Sequence, residues 1–162
     1  MTSASRHHLV TATVENKAGV LLRIAGLFSR RGYNIISLAV APTDDERFSR
    51  VSIVVDVESN LLQQVIDQLD KLINVVAITE LDPADANKAE LLLATVSVGA
   101  GDQEFDDLVA RVGGTIIDRG SETTMVQLAG DPAILNDFEQ KLRSYGISEL
   151  QRTGAVALAK LS

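Results

Sequence analysis

His7-His8-Leu9-Val10-Thr11-Ala12-Thr13-Val14-Glu15-Asn16-Lys17-Ala18-Gly19-Val20-Leu21-Leu22-Arg23-Ile24-Ala25-Gly26-Leu27-Phe28-Ser29-Arg30-Arg31-Gly32-Tyr33-Asn34-Ile35 holds a complete strand–helix–strand signal. From His7 to Val14 the residues are short, apolar and β-branched, which predicts a strand. Glu15 to Gly19 interrupts it with turn chemistry. Val20, Ile24, Leu27 and Phe28 then recur at helical spacing, and Leu21 and Ala25 widen the stripe. Arg30 and Arg31 close the helix where cations complement its dipole, and Gly32 suits a left-handed residue after its end. Asn34 to Ala41 reads as the next strand.

Outward from this segment, Pro42-Thr43-Asp44-Asp45-Glu46 is a turn, and Val51, Ile53, Val55 and Val57 alternate as a third strand. Ser59 or Asn60 can cap a second helix, with Gln63 placed for a capping box, and Leu62, Val65, Ile66, Leu69 and Ile73 give that helix its apolar face. Val75 to Leu81 is a fourth strand. After the polar stretch Asp82-Pro83-Ala84-Asp85-Ala86-Asn87 the order repeats. Leu91 to Val98 is a strand; Asp102 caps a helix built on Phe105, Leu108, Val109 and Val112; Gly113-Gly114 stops it. Thr115 to Asp118 and Thr123 to Ala129 are short strands. Asp131-Pro132 opens a helix using Leu135, Phe138, Leu142 and Tyr145, and a final strand runs from Ile147 to Leu161 with a break near Gly154.

Two copies of β-α-β-β-α-β predict an α+β protein made of two ferredoxin-like units, each an antiparallel sheet with both helices on one face. The expected division is 1–82, a linker at 83–87, and 88–162. Units of about 80 residues have marginal cores. Val10, Ala12, Val14, Leu38 and Val40 suggest that the sheet face away from the helices is also apolar, so the chain is expected to pair into a homodimer.

Composition narrows the function. There is no Cys, which removes thiol nucleophiles, disulfides and cysteine-bound metals. The net charge is −7 and the one tight basic pair is Arg30-Arg31, so no nucleic-acid partner is expected. Neither a leader-like apolar run in Met1–Arg6 nor a membrane-length stretch is visible, and the expectation is a cytoplasmic protein without a membrane partner. His7 and His8 are adjacent on a strand, point to opposite faces and make a poor metal pair. No serine lies in a recognisable pattern with a histidine base. Gly99-Ala100-Gly101 lacks the Lys and hydroxyl of a phosphate-binding loop and reads as a turn. No catalytic residue and no metal site is expected.

The first strand-to-helix junction is the exception. Lys17-Ala18-Gly19 leaves backbone N–H groups at a helix N-terminus, where a carboxylate is favoured. Gly19 permits close approach, and Asn16 offers donors and an acceptor. Asn34 and Ile35 add an amide and an apolar wall, with Val20 and Leu21 lining the same space. Together they could hold a small amino acid; the alternative is that Asn16 and Gly19 only shape a turn.

Val14-Glu15-Asn16-Lys17-Ala18-Gly19-Val20-Leu21 resembles the ligand loop of ACT domains. Gly26 through Ile35 followed by Ser37-Leu38 is similar to the narrower version found in acetolactate (acetohydroxyacid) synthase small subunits, as are Ala41-Pro42-Thr43, Ser49-Arg50-Val51, Gln68-Leu69-Asp70-Lys71-Leu72 and Arg152-Thr153-Gly154-Ala155-Val156-Ala157-Leu158. Ile36 stands where many relatives have Glu, Ala18 where Pro or Ser is common, and Lys88-Ala89-Glu90 lacks an Arg often seen before that Glu. The resemblance implies an ACT domain at 1–82 that dimerises and binds a branched-chain amino acid, valine or else leucine or isoleucine, between chains through Asn16, Lys17, Ala18, Gly19, Val20, Leu21, Asn34 and Ile35. It also implies activation and feedback inhibition of a large catalytic subunit that carries thiamine diphosphate, magnesium and FAD, with no cofactor in this chain. The C-terminal unit would help to contact that subunit. A tandem-ACT sensor acting on transcription or on another enzyme is the main alternative; an acylphosphatase-like enzyme would need an Arg in the Glu15–Gly19 loop, which has only Lys17.

Overall fold

A computed structural model describes residues 7–161; Met1–Arg6, read above for a leader, and Ser162 lie outside them. The order is β1 (His7–Glu15), α1 (Val20–Arg30), β2 (Asn34–Pro42), β3 (Phe48–Asp56), α2 (Ser59–Asp70) and β4 (Val75–Leu81). It continues with β5 (Ala86–Val96), α3 (Gln103–Arg111), β6 (Thr115–Arg119), β7 (Thr124–Gly130), α4 (Pro132–Arg143), β8 (Ile147–Arg152) and β9 (Val156–Ala159). The two sheets run β2-β3-β1-β4 and β6-β7-β5-β8, so the two βαββαβ units share one topology, and every pairing along these orders is antiparallel.

The repeat extends to the irregularities. In the first unit register shifts fall at Thr13/Val14 and Ile35/Ser37; in the second they fall at Thr95/Val96 and Ile116/Asp118. A bulge bends and twists a strand, and both units place theirs on the centre strand and on the edge strand that follows the first helix.

Each unit has its own core. In the first, Val20, Ile24, Leu27 and Phe28 of α1 and Leu62, Val65 and Leu69 of α2 pack on Val10, Ala12, Val14, Val51, Ile53 and Val55. In the second, Phe105, Val109, Leu135, Phe138 and Leu142 pack on Leu92, Ala94, Val96, Val126 and Leu128. The helical spacing read from the sequence is thus the spacing of the buried stripes. Asp102 caps α3 by accepting from the Phe105 N–H at 3.0 Å, and Asp131 caps α4 by accepting from the Ala133 N–H at 2.9 Å with Pro132 behind it. Gly99 is a turn residue: a Cβ there would sit 2.6 Å from the Ser121 carbonyl oxygen.

Four expectations are corrected. Neither Ser59 nor Asn60 caps α2; the cap position is Glu58, no side chain closes it, and Gln63 bonds Asp67 one turn on instead of reaching back. Ile73 lies beyond the end of α2 and is exposed. Val10, Ala12, Val14 and Leu38 belong to the helix-facing core, and Val40 pairs with Val51 in the same row. By register and alternation, the opposite face carries Leu9, Thr11 and Thr13 beside Val54, Ser52 and Arg50, which is a smaller and more polar surface than expected.

Fourth, residues up to Asn87 group with those from Ala155 onward, and Lys88–Gly154 form the second unit. Ala86 and Asn87, expected in a linker, already belong to β5. The expected unit 88–162 loses its last segment because Ala157 buries itself with Leu9, Leu81 and Ala86 of the first unit. The Ala155 N–H donates to Ser37 Oγ at 2.7 Å and the Lys160 N–H to the Asp85 carbonyl at 2.8 Å, which fixes the segment there.

Candidate functional site

The chain leaves β1 at Glu15 and enters α1 at Val20 through a loop pinned at both sides. The Asn16 N–H donates to the Arg47 carbonyl at 2.7 Å, and Asn16 Nδ2 donates to the Glu46 carbonyl at 3.0 Å. Asn16 therefore ties the loop to the β2–β3 turn. Lys17 folds back on Glu15: its N–H donates to the Glu15 carbonyl at 2.9 Å and its Nζ pairs with Glu15 Oε2 at 3.0 Å. The Lys17 cation thus serves the loop itself.

Gly19 holds the N-cap position of α1 with φ 85°, a left-handed conformation that explains glycine there, and nothing lies within 4 Å of where its Cβ would be. No side chain caps α1 and its first turn has no acidic residue. The Arg23 N–H reaches back to the Gly19 carbonyl at 3.1 Å and the Val20 N–H makes a long contact of 3.4 Å to the Lys17 carbonyl. Among the described residues the Leu21 and Leu22 N–H groups meet no protein acceptor. The junction therefore presents open backbone donors at the positive end of a helix dipole, with Ala18 and Gly19 contributing almost no side-chain bulk. Val20 is buried beneath it and Leu21 is partly exposed beside it.

Asn34 and Ile35 begin β2 and lie elsewhere. Asn34 pairs with Asp56, which also pairs with His7, whereas Glu15 pairs with Phe48. Asn16–Gly19 and Asn34–Ile35 therefore sit at opposite ends of one sheet, with the eight steps from Phe48 to Asp56 spanning roughly 26 Å at about 3.3 Å per residue. Within one chain the eight residues expected to form a site make two separate halves: Asn16, Lys17, Ala18, Gly19, Val20 and Leu21 in one, Asn34 and Ile35 in the other. Asn34 is exposed, Ile35 leans on the core, and Ile36 is solvent-facing at the register shift.

A group that sequence reading did not find adjoins the first half. Asn74, in the turn between α2 and β4, donates from Nδ2 to Glu15 Oε2 at 2.6 Å and accepts from Arg23 Nη1 at 3.0 Å. Its carbonyl accepts the Glu15 N–H at 2.8 Å. The Asn74 hydrogen bond first, then Lys17, holds the Glu15 carboxyl below its ordinary pKa, with partial desolvation opposing them. A single polar residue in a turn gives no sequence pattern that would have revealed this.

His8 has partners: Nδ1 lies 3.2 Å from Glu80 Oε1 and Nε2 lies 3.4 Å from Ser59 Oγ, in an open cleft also lined by His7, Asp82 and Pro83. No cluster of three or more His, Cys, Asp or Glu suited to a metal ion occurs among the described residues, nor any helix there long and apolar enough to cross a membrane.

Residues 10–77 match the family described as AHAS small subunit-like ACT domain, and residues 89–161 match the family described as small subunit of acetolactate synthase. The chain is 36% identical over 161 residues to the acetolactate synthase small subunit of Mycolicibacterium smegmatis, covering 99% of this chain and 95% of that one. It is 36% identical to the probable acetolactate synthase small subunit of Archaeoglobus fulgidus, covering 94% and 96%. The crystal structure of the acetolactate synthase small subunit from Thermotoga maritima superposes with a TM-score of 0.89 at 33% identity, covering 98% of this chain and 99% of that one.

Proposed function

Since the chain belongs to the acetolactate synthase small-subunit family, we propose that it binds a branched-chain amino acid, valine first, and uses that binding to restrain a catalytic large subunit that it otherwise activates. The ligand carboxylate would be held by the open N–H groups at the start of α1, and its side chain would lie against Val20 and Leu21. The thiamine diphosphate, magnesium and FAD of the chemistry would belong to the large subunit, and this chain would act without a cofactor.

The observation that carries this reading is the separation of the two half-sites along a sheet whose β2 is an open edge. β2 is nine residues long and largely apolar, the kind of edge that pairs with another strand unless protected. If two copies pair β2 to β2 about a two-fold axis, the strands run antiparallel, and the Asn34 end of each lies beside the Pro42 end of the other. Pro42 pairs with Ser49, one step from the Phe48 that pairs with Glu15. Two-fold pairing therefore brings the Asn34–Ile35 end of the second copy toward the Asn16–Gly19 loop of the first and makes two equal pockets per dimer. A ligand so placed contacts both chains and can bias the dimer only by its differential affinity for two arrangements, with couplings of about 1–3 kcal/mol typical.

The test is calorimetric titration of the purified chain with valine, leucine and isoleucine, joined to an assay of the reconstituted synthase. Asn16→Ala and Gly19→Asp should each remove the valine response while leaving activation of the large subunit. Unaltered valine sensitivity in both variants would remove the site.

A further inference from the structure

Asn74 lies outside the loop that meets the ligand in the reading above, yet three hydrogen bonds from two elements, β1 and α1, converge on it. Its carbonyl takes the N–H of Glu15, the last residue of β1. Its side-chain Nδ2 donates to the Glu15 carboxylate at 2.6 Å. Its Oδ1 receives the Arg23 guanidinium at 3.0 Å, and the Arg23 N–H is the one that reaches back to the Gly19 carbonyl. The chain of contacts runs Lys17–Glu15–Asn74–Arg23 and returns through the backbone to Gly19. It closes a ring around the two ends of the 15–19 loop.

We propose that Asn74 is a positioning residue of the amino-acid site: it fixes the exit of β1 to the first turn of α1, so that the loop's backbone N–H groups are presented to the ligand before it arrives. This rests on the amino-acid-binding reading of the same loop. The physical ground is preorganisation. The Glu15–Gly19 loop contains a left-handed glycine and no side chain caps the helix behind it, so its order depends on the contacts that pin it. Ordering a loop on binding costs affinity, and prior ordering returns it. The Glu15–Lys17 pair cannot do this alone, because it joins two residues at the exit of β1 and does not reach α1, and Asn16 ties the loop only to the β2–β3 turn. Asn74 ties both the approach to β4 and the first turn of α1 to that strand end. Its amide is also matched to the task, since one end must donate to a carboxylate while the other accepts from a guanidinium. The opposed polarities predict that an isosteric carboxylate fails at this position.

The experiment compares valine binding by calorimetry, and valine inhibition of the reconstituted synthase, for Asn74→Asp, Glu15→Gln and the pair Asn74→Asp with Glu15→Gln, beside Asn16→Ala. Asn74→Asp keeps the Arg23 contact but sets two carboxylates face to face. It should weaken valine binding about tenfold, the effect of losing one hydrogen bond to a charged group. In the double variant the amide introduced at position 15 can donate to the new carboxylate at position 74. That restores the link with its polarity reversed, and affinity should return to near the parent value. A general loss of packing would not be rescued by that second change. Parent-like binding in Asn74→Asp, or no recovery in the double variant, overturns the positioning role while a loss in Asn16→Ala leaves the binding site standing. If the parent chain binds none of the three amino acids, the reading of the loop fails and this role fails with it.

Discussion

The two units share sheet order, helix placement and even bulge positions, yet they end their loops differently. In the Lys88–Gly154 unit both helices begin with a carboxylate of the chain itself: Asp102 accepts from Phe105 and Asp131 from Ala133. α3 adds Glu104 and Asp106 in its first turn. In the N-terminal unit neither helix is closed by a side chain, and α1 starts from a left-handed glycine with no acid in its first turn. At matching strand-to-helix junctions one unit closes the helix with a carboxylate of its own and the other leaves its first backbone donors uncapped. An absent cap is not sufficient, since α2 also lacks one. At α1 it coincides with a glycine that has open space around it and with a ring of polar contacts holding the loop. The duplication thus acts as an internal control: the second unit shows the same fold with its first helix closed by its own side chain.

The comparison presumes two independent cores, and the largest predicted effects test that. Phe28 and Phe138 are both fully buried, one in each cluster. Phe28→Ala and Phe138→Ala should each cost about 3–5 kcal/mol, from lost burial plus the cavity left behind. Hydrogen exchange read along the chain should place the first loss in β1, β3 and β4 and the second in β5, β7 and β8. Loss spread equally over both sheets by either variant would show a single cooperative core and break the comparison at its root.

Much of this was written locally and could be read. The stripe Val20, Ile24, Leu27 and Phe28 is a period, and Asp102 and Asp131-Pro132 are caps whose chemistry acts within three residues. Amino-acid order alone could not orient the first strand, because Leu9 and Val10 are both apolar and only the packing of the helices says which points inward. Nor could it assign β9, whose place depends on Ala157 meeting Leu9 and Leu81, far away along the chain. The site shows the same division. Asn16 to Gly19 form a contiguous loop and were legible, whereas the remoteness of Asn34 follows from strand register, and Asn74 makes its contacts from a turn with no pattern of its own. Ser59 failed as a cap because Oγ turns toward His8 instead of the helix end.

The next effect sharpens the contrast between junctions. Asp102→Ala removes the acceptor for the Phe105 N–H and should destabilise the Lys88–Gly154 unit by about 1 kcal/mol. Thermal melts of this variant should fall in proportion, and added valine should not reverse the fall. In the N-terminal unit, valine added to the parent chain should raise stability, because a ligand that binds only the folded form stabilises it by mass action. A valine-independent melt would mean that the open junction of α1 is merely frayed.

The smallest effect is a titration, and it reports on the ring around the loop directly. Glu15 is about one third exposed, with Asn74 and then Lys17 lowering its pKa. A carboxyl whose folded pKa is depressed stabilises the fold at pH values above its unfolded pKa, near ~4.3, and that contribution is lost as pH falls through the folded value. At neutral pH the ring is therefore complete, and it opens only in acid below the ordinary Glu range. Replacing Asn74 with Ala removes the largest cause of the shift, so the Glu15 carboxyl should titrate closer to the ordinary value, with Lys17 keeping part of the depression. Carbon-detected NMR of the side-chain carboxyl in parent and variant measures this without any ligand. A Glu15 curve unmoved by Asn74→Ala would show that Lys17 alone sets its charge, and the ring would reduce to a neighbouring ion pair on one strand end.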